Sequence, residues 1–300
     1  MQLVTPYFCM PGTADQALTF YIEAFGTIGS QVSVLHRSSH PAQVPPQAPA
    51  QVAAMAGKTL TAVLSFDGIE VGLINAGPEL RPTPSISLMV NLDPAVIQDA
   101  PGAARRLWAA LSDGGEVRMP LGAYPFSECY GWLEDRYGIN WQLILTDPRG
   151  EPRPFILPSL LFGPGSRGAR EAVDYYLGVF PGSELGRRES YPDDEALVLF
   201  SDAQLGGQWM TAMDSSAPMP FDFTAGSSLM IRAETQGEID YYWERLSAVP
   251  EAERCGWCQD RFGVSWQVLP SPAELSMLSP RQYAALMGMT RIDLAALRAQ

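Results

Sequence analysis

The sequence predicts an α+β chain of two tandem modules, residues 1–150 and 151–300, each running strand, helix, then several strands. Two observations predict it. "GWLEDRYGINWQLI" from Gly131 and "GWCQDRFGVSWQVL" from Gly256 agree at seven of fourteen positions. Other landmarks recur in the same order: "LTFYIEAFG" (from Leu18) with "VDYYLGVFP" (from Val173), "SISLMV" (from Ser85) with "GSSLMI" (from Gly226), and "RLWAALS" (from Arg106) with "YYWERLS" (from Tyr241). The offset drifts from 176 − 21 = 155 to 256 − 131 = 125, as it would if loops of unequal length hung on one repeated frame.

Each module opens on an apolar run, Leu3 to Cys9 or Phe155 to Phe162. A helix follows in which Ala17, Leu18, Tyr21 and Phe25 share a face and Gly26 supplies a stop. Strand patterns come next at 31–35, 60–66 and 69–74, and in the second module at 183–189, 196–200 and 204–212. A further strand (85–92 or 227–233) leads to a second helix. In the second module Thr235 and Glu238 fit a capping box, and Ile239, Trp243 and Leu246 fall on one side. The repeated sentence closes each module. "DRYG" and "DRFG" are turn signals: Asp135 and Asp260 can accept from amides two residues on, and Gly138 and Gly263 tolerate positive φ. In the strand after each turn, alternation puts Ile139, Trp141 and Leu143 opposite Asn140, Gln142 and Ile144, and Val264 and Trp266 opposite Ser265 and Gln267. The Trp face should pack beneath the helices. The Gln face should stay where an amide can meet a ligand or water.

Residues 36–58 are rich in Pro, Ala, Gln and Ser without apolar periodicity, which reads as an inserted surface loop or a lid over a site. The tail, 272–300, has helical character, with Tyr283, Leu286 and Met287 near one face; it could dock on the second module or on another chain.

A net charge of −13 argues against a nucleic-acid partner, which needs clustered Lys and Arg. No apolar run reaches the length of a membrane span, and the first residues lack a secretory pattern, so the cytoplasm is the expected compartment. Four cysteines in 300 residues do not make a disulfide framework.

"FYIEAFG", "MPLGAYPFSECYGWLEDRYGINWQLIL", "GWCQDRFGVSWQVLP" and the tail "MGMTRIDLAALRAQ" give the chain a resemblance to the vicinal oxygen chelate superfamily of glyoxalase I, extradiol dioxygenases and bleomycin-resistance proteins. It most resembles the PhnB-like branch, labelled 3-demethylubiquinone-9 3-methyltransferase. The resemblance implies βαβββ-type modules whose sheets form open cups, with a small-molecule ligand in the concavity. It also implies that fused modules supply what smaller relatives obtain by dimerising; a homodimer of the whole chain stays open.

In metal-using relatives the closing strand offers Glu and the first strand His. Here the matching closing residues are Gln142 and Gln267, and neither first strand contains His. A neutral amide adds no charge to offset the dehydration of a divalent cation. No metal site and no cofactor are therefore expected. His36 and His40, the only two histidines, fall in the insertion.

Glu128 is the one carboxylate of the segment Met119 to Trp132, which the second module lacks. Tyr124, Phe126 and Tyr130 could shield it from water, and it is the candidate general base; the alternative is an exposed loop residue. Phe8, Phe66, Tyr130 and Trp209 are candidate apolar walls of a ligand site, and Gln142 and Gln267 its polar contacts. "CGWC" has redox spacing but leads into a strand and matches "YGWL" in the first module. "GPGSRG", from Gly163, lies between strand and helix but lacks the context of a nucleotide-type site for S-adenosylmethionine. Four functions compete: a metal-independent small-molecule pocket, binding or catalytic; a methyltransferase; a metal-dependent lyase or dioxygenase; and a non-catalytic sequestration protein.

Overall fold

In the computed structural model the described residues are 2–42, 54–163 and 168–299. They form fifteen strands and seven helices, and the strands make four successive units, each opening strand–helix–strand. The first unit holds β1 (Val4–Met10), α1 (Ala14–Gly26), β2 (Val32–Ser39), β3 (Thr59–Phe66) and β4 (Ile69–Asn75). The second holds β5 (Ile86–Leu92), α2 (Ala100–Ser112), β6 (Glu116–Tyr124), β7 (Ser127–Glu134) and β8 (Asn140–Leu145). The third holds β9 (Ile156–Phe162), α3 (Ala169–Val179), β10 (Glu184–Tyr191), β11 (Asp194–Leu205) and β12 (Gln208–Asp214). The fourth is shorter: β13 (Ser227–Arg232), α4 (Gln236–Leu246), β14 (Trp257–Gln259) and β15 (Ser265–Leu269). The tail forms α5 (Pro272–Ser276), α6 (Pro280–Met287) and α7 (Leu294–Arg298).

The units are interlaced. A seven-stranded sheet, β14-β15-β13-β1-β4-β3-β2, joins the first unit to the fourth; an eight-stranded sheet, β10-β11-β12-β9-β5-β8-β7-β6, joins the second to the third. The joints are the antiparallel pairs β1–β13 and β5–β9. Each sequence half thus gives one unit to each sheet.

Local chemistry explains the elements. Tyr21 and Phe25 of α1 are wholly buried, as the helical spacing requires. The capping box of α4 forms: Thr235 Oγ1 accepts from the Glu238 amide, and the Glu238 carboxylate accepts from the Thr235 amide. Ile239, Trp243 and Leu246 are buried on its inner side. Two expected boundaries move. β2 runs to Ser39 rather than Leu35, so His36 lies in a strand opposite Val63 instead of in the insertion; 43–53 of the insertion lie outside the described residues. The pattern read as one strand over 204–212 is cut at Gly206 and Gly207, whose φ of +57° and +85° make the β11–β12 turn.

The tail docks on its own chain. α5 packs against β2, and the Cys255 and Gly256 amides, just before β14, donate to Met289 O and Thr290 O at 2.6 and 2.8 Å. It therefore bridges the two edge strands of the seven-stranded sheet. Leu286 is buried there, Tyr283 is partly buried, and Met287, expected on the same face, is exposed.

Candidate functional site

The repeated sentence builds a buried clamp. Asp135 Oδ1 accepts from the amides of Tyr137 (2.8 Å) and Ile139 (3.1 Å), which shapes the turn. Its Oδ2 accepts from the Tyr21 hydroxyl and from Trp141 Nε1, both at 2.8 Å. Asp260 repeats the arrangement with Phe262, Val264, Tyr176 and Trp266. Burial pushes the Asp135 carboxyl up to about 6, against the four hydrogen bonds that favour its charged form; Asp260 moves the same way for the same reason. Trp141 also packs on Phe25 and Phe66, with centroids 5.2 and 6.1 Å away, so the Trp face does lie beneath the helices.

Gln142 follows Trp141 and points to the opposite, helix-free face. There its Oε1 accepts from the Tyr130 hydroxyl at 2.8 Å, and its Nε2 donates to Ser87 Oγ at 2.8 Å and Ser159 Oγ at 3.3 Å. Strand register extends this into two rows. Trp132, Gln142, Met89 and Leu157 are successive partners across β7, β8, β5 and β9. Ser87, Ser159, Thr211 and Asp202 are successive partners across β5, β9, β12 and β11. Thr211 is buried and its hydroxyl has no hydrogen-bond partner. At the β11 wing Arg153 bonds Asp202 at 2.9 Å and lies 3.7 Å over the Trp209 ring. At the β8 wing Arg118 bonds Glu134 and the Asn140 side-chain oxygen. Tyr124, Phe126 and Tyr130 pack edge and face at the end of the β6–β7 hairpin.

The equivalent face of the seven-stranded sheet is filled. Its second row reads Ser228, Tyr7, Gly72, Val63, so a phenol ring stands where the other sheet has Ser159. Tyr7 lies directly over Gly72: a Cβ there would sit 2.2 Å from the ring. Gln267 donates to Ser228 Oγ at 2.8 Å.

The residues singled out from sequence thus separate. Gln142, Tyr130 and Trp209 share the helix-free face of the eight-stranded sheet, Trp209 two positions from Thr211. Glu128 is two positions from Tyr130 on the same strand and is exposed at its outer end, not shielded by the rings. Gln267 belongs to the other sheet. Phe8 and Phe66 do not reach either helix-free face: Phe66 packs on Tyr21, Phe25 and Trp141, and Phe8 alternates with Tyr7 into the helix side, both wholly buried. Sequence reading missed Ser87, Ser159 and Thr211. Their signal was hydroxyls of one parity inside otherwise apolar strands. Trp209 also lines a 140 Å³ cleft where the sheets meet, with Val4, Ile69, Ile156 and Leu205.

Among the described residues no group of three or more His, Cys, Asp or Glu could hold an ion, and the Gln142 amide is already engaged on both atoms. "CGWC" holds two free thiols that burial pushes up, Cys258 inside β14. Of "GPGSRG", 164–167 lie outside the described residues; the α3 N-terminus beside it is taken by Asp214, which accepts from the Ala169 amide at 2.8 Å. Among the described residues no helix is long and apolar enough to cross a membrane.

A family model described as 3-demethylubiquinone-9 3-methyltransferase matches residues 2–144 and 154–269. No curated protein matches. Among solved structures, a PhnB protein from Bacillus cereus is 28% identical, covering 48% of this chain and 100% of its own, with a TM-score of 0.39. Glyoxalase I from Zea mays is 13% identical over 91% of this chain and 93% of its own, with a TM-score of 0.55, a likeness of fold. With its family model spanning both sequence halves, the chain belongs to the 3-demethylubiquinone-9 3-methyltransferase family.

Proposed function

We propose that the chain is a metal-independent small-molecule binding protein or enzyme whose site is the helix-free face of the eight-stranded sheet. The observation that carries this reading is the contrast between the two sheets at one register. Where Tyr7 and Gly72 fill one, Ser159 and Thr211 leave small hydroxyls in the other, and the Thr211 hydroxyl is buried without a partner. A buried hydroxyl left unpaired costs about 1–3 kcal/mol, which a ligand's polar atom would recover. Trp132, Met89, Leu157 and Trp209 supply apolar surface beside it, the usual mixture for a ligand site. Because Gln142 and Thr211 are buried, entry requires the side chains that cover them to part. Glu128, two positions beyond Tyr130 and exposed at the outer end of β7, is the proposed base only for a ligand that extends along β7 past Tyr130.

Native mass spectrometry of the chain against small-molecule mixtures tests the reading. Bound ligand should be lost in Thr211→Val and Gln142→Leu and kept in Tyr7→Phe. Loss only in variants of the seven-stranded sheet would overturn it. If the ligand turns over, Glu128→Gln should lower kcat by about tenfold or more; unchanged kcat removes Glu128 from the chemistry. Methyl transfer has no support here beyond the family model's description.

A further inference from the structure

The direction of the hydrogen bonds around Gln142 says what its neighbours still lack. Tyr130 donates to the amide oxygen at 2.8 Å. Both amide protons are then directed at Ser87 and Ser159. Those oxygens act as acceptors, so their own protons point elsewhere, and no described residue accepts them. Thr211, next in the same row, has no partner at all. Three adjacent hydroxyls therefore present donors without acceptors. The charges flanking the floor are already matched: Asp202 by Arg153, Glu134 by Arg118. An ionised ligand group would be desolvated there without a counter-charge, a cost of several kcal/mol.

We infer that this face takes an uncharged molecule whose apolar body carries a carbonyl or comparable hydrogen-bond acceptor. The inference rests on the site proposed above. The acceptor sits on the Ser87–Ser159–Thr211 row, and the body lies along Trp132, Met89, Leu157 and Trp209.

Four single-ring probes test it on the full chain by ligand-observed NMR: acetophenone (acceptor, neutral), ethylbenzene (no acceptor), benzoate (anion) and benzylamine (cation). Acetophenone should bind about tenfold tighter than each of the others, the equivalent of one recovered hydrogen bond. Thr211→Val should remove that advantage while leaving ethylbenzene unchanged, and Thr211→Ser, which keeps the hydroxyl, should retain it. Equal or tighter binding of benzoate or benzylamine, still sensitive to Thr211→Val, overturns the ligand class and leaves the site standing. Binding by no probe, or binding indifferent to both Thr211→Val and Gln142→Leu, overturns the site and the inference with it.

Discussion

The Tyr21 hydroxyl donates to Asp135 across 114 residues of chain at 2.8 Å, tying a helix that packs on one sheet to a turn that belongs to the other. Tyr176 and Asp260 make the same tie in the second half at 2.6 Å. Removing one hydroxyl leaves a buried carboxylate with one donor fewer. Tyr21→Phe and Tyr176→Phe should each destabilise the chain by about 1.5–3 kcal/mol, read as a lower urea midpoint at unchanged slope. A loss under about 0.5 kcal/mol in both would show that the clamp adds nothing to stability.

The Asp135 carboxyl also sets a pH dependence. Its pKa is raised from 3.8 to about 6 in the folded chain, so the native state holds this proton more tightly than the unfolded one. Stability from this group is fully present below pH 3.8 and is lost as pH rises through about 6. The loss is on the order of 3 kcal/mol. Asp135→Asn does not titrate at this site, so its deficit relative to wild type should be largest near pH 4 and shrink toward pH 7. Urea titrations of both proteins at several pH values check the trend, and a deficit that grows with pH contradicts it.

Gly72 has a packing reason to be glycine. Its φ is not in the left-handed region, but its missing Cβ makes room for the Tyr7 ring. Gly72→Ala should cost about 1–3 kcal/mol by overpacking. Combining it with Tyr7→Leu should cost less than the two changes added, because the clash is removed; strict additivity would show that the two residues do not interact.

Chelation offers a further check. Extended dialysis against EDTA should leave the melting temperature of the purified chain unchanged, and added zinc, nickel or manganese should not raise it. A stoichiometric ion whose stabilisation disappears in Gln142→Leu would restore the lyase or dioxygenase reading.

What could be read in the sequence was local. The α1 and α4 faces, the turns at Asp135 and Asp260, and the opposition of Trp141 and Gln142 all follow from periods of 3.6 and 2. The partners of those residues could not be read. Nothing near Asp135 announces Tyr21, and no strand pattern says that β1 will pair with β13. Phe66 shows the limit on side chains: an aromatic in a strand can face either way, and in β3 the Phe66 ring packs on Trp141. Ser87 and Ser159 were legible in principle, as lone hydroxyls in apolar strands, but they acquire meaning only beside Gln142 from another strand.

The interlaced sheets impose an order of assembly during synthesis. β5 to β12 are consecutive in the chain, so the eight-stranded sheet can close while the last quarter is still in the ribosome. β1, the first strand made, must hold Val4 to Phe8 unpaired on one side until Ser227 to Ile231 emerge. Nascent chains arrested just before β13 should expose that edge to protease or chaperone, and chains arrested beyond residue 270 should not.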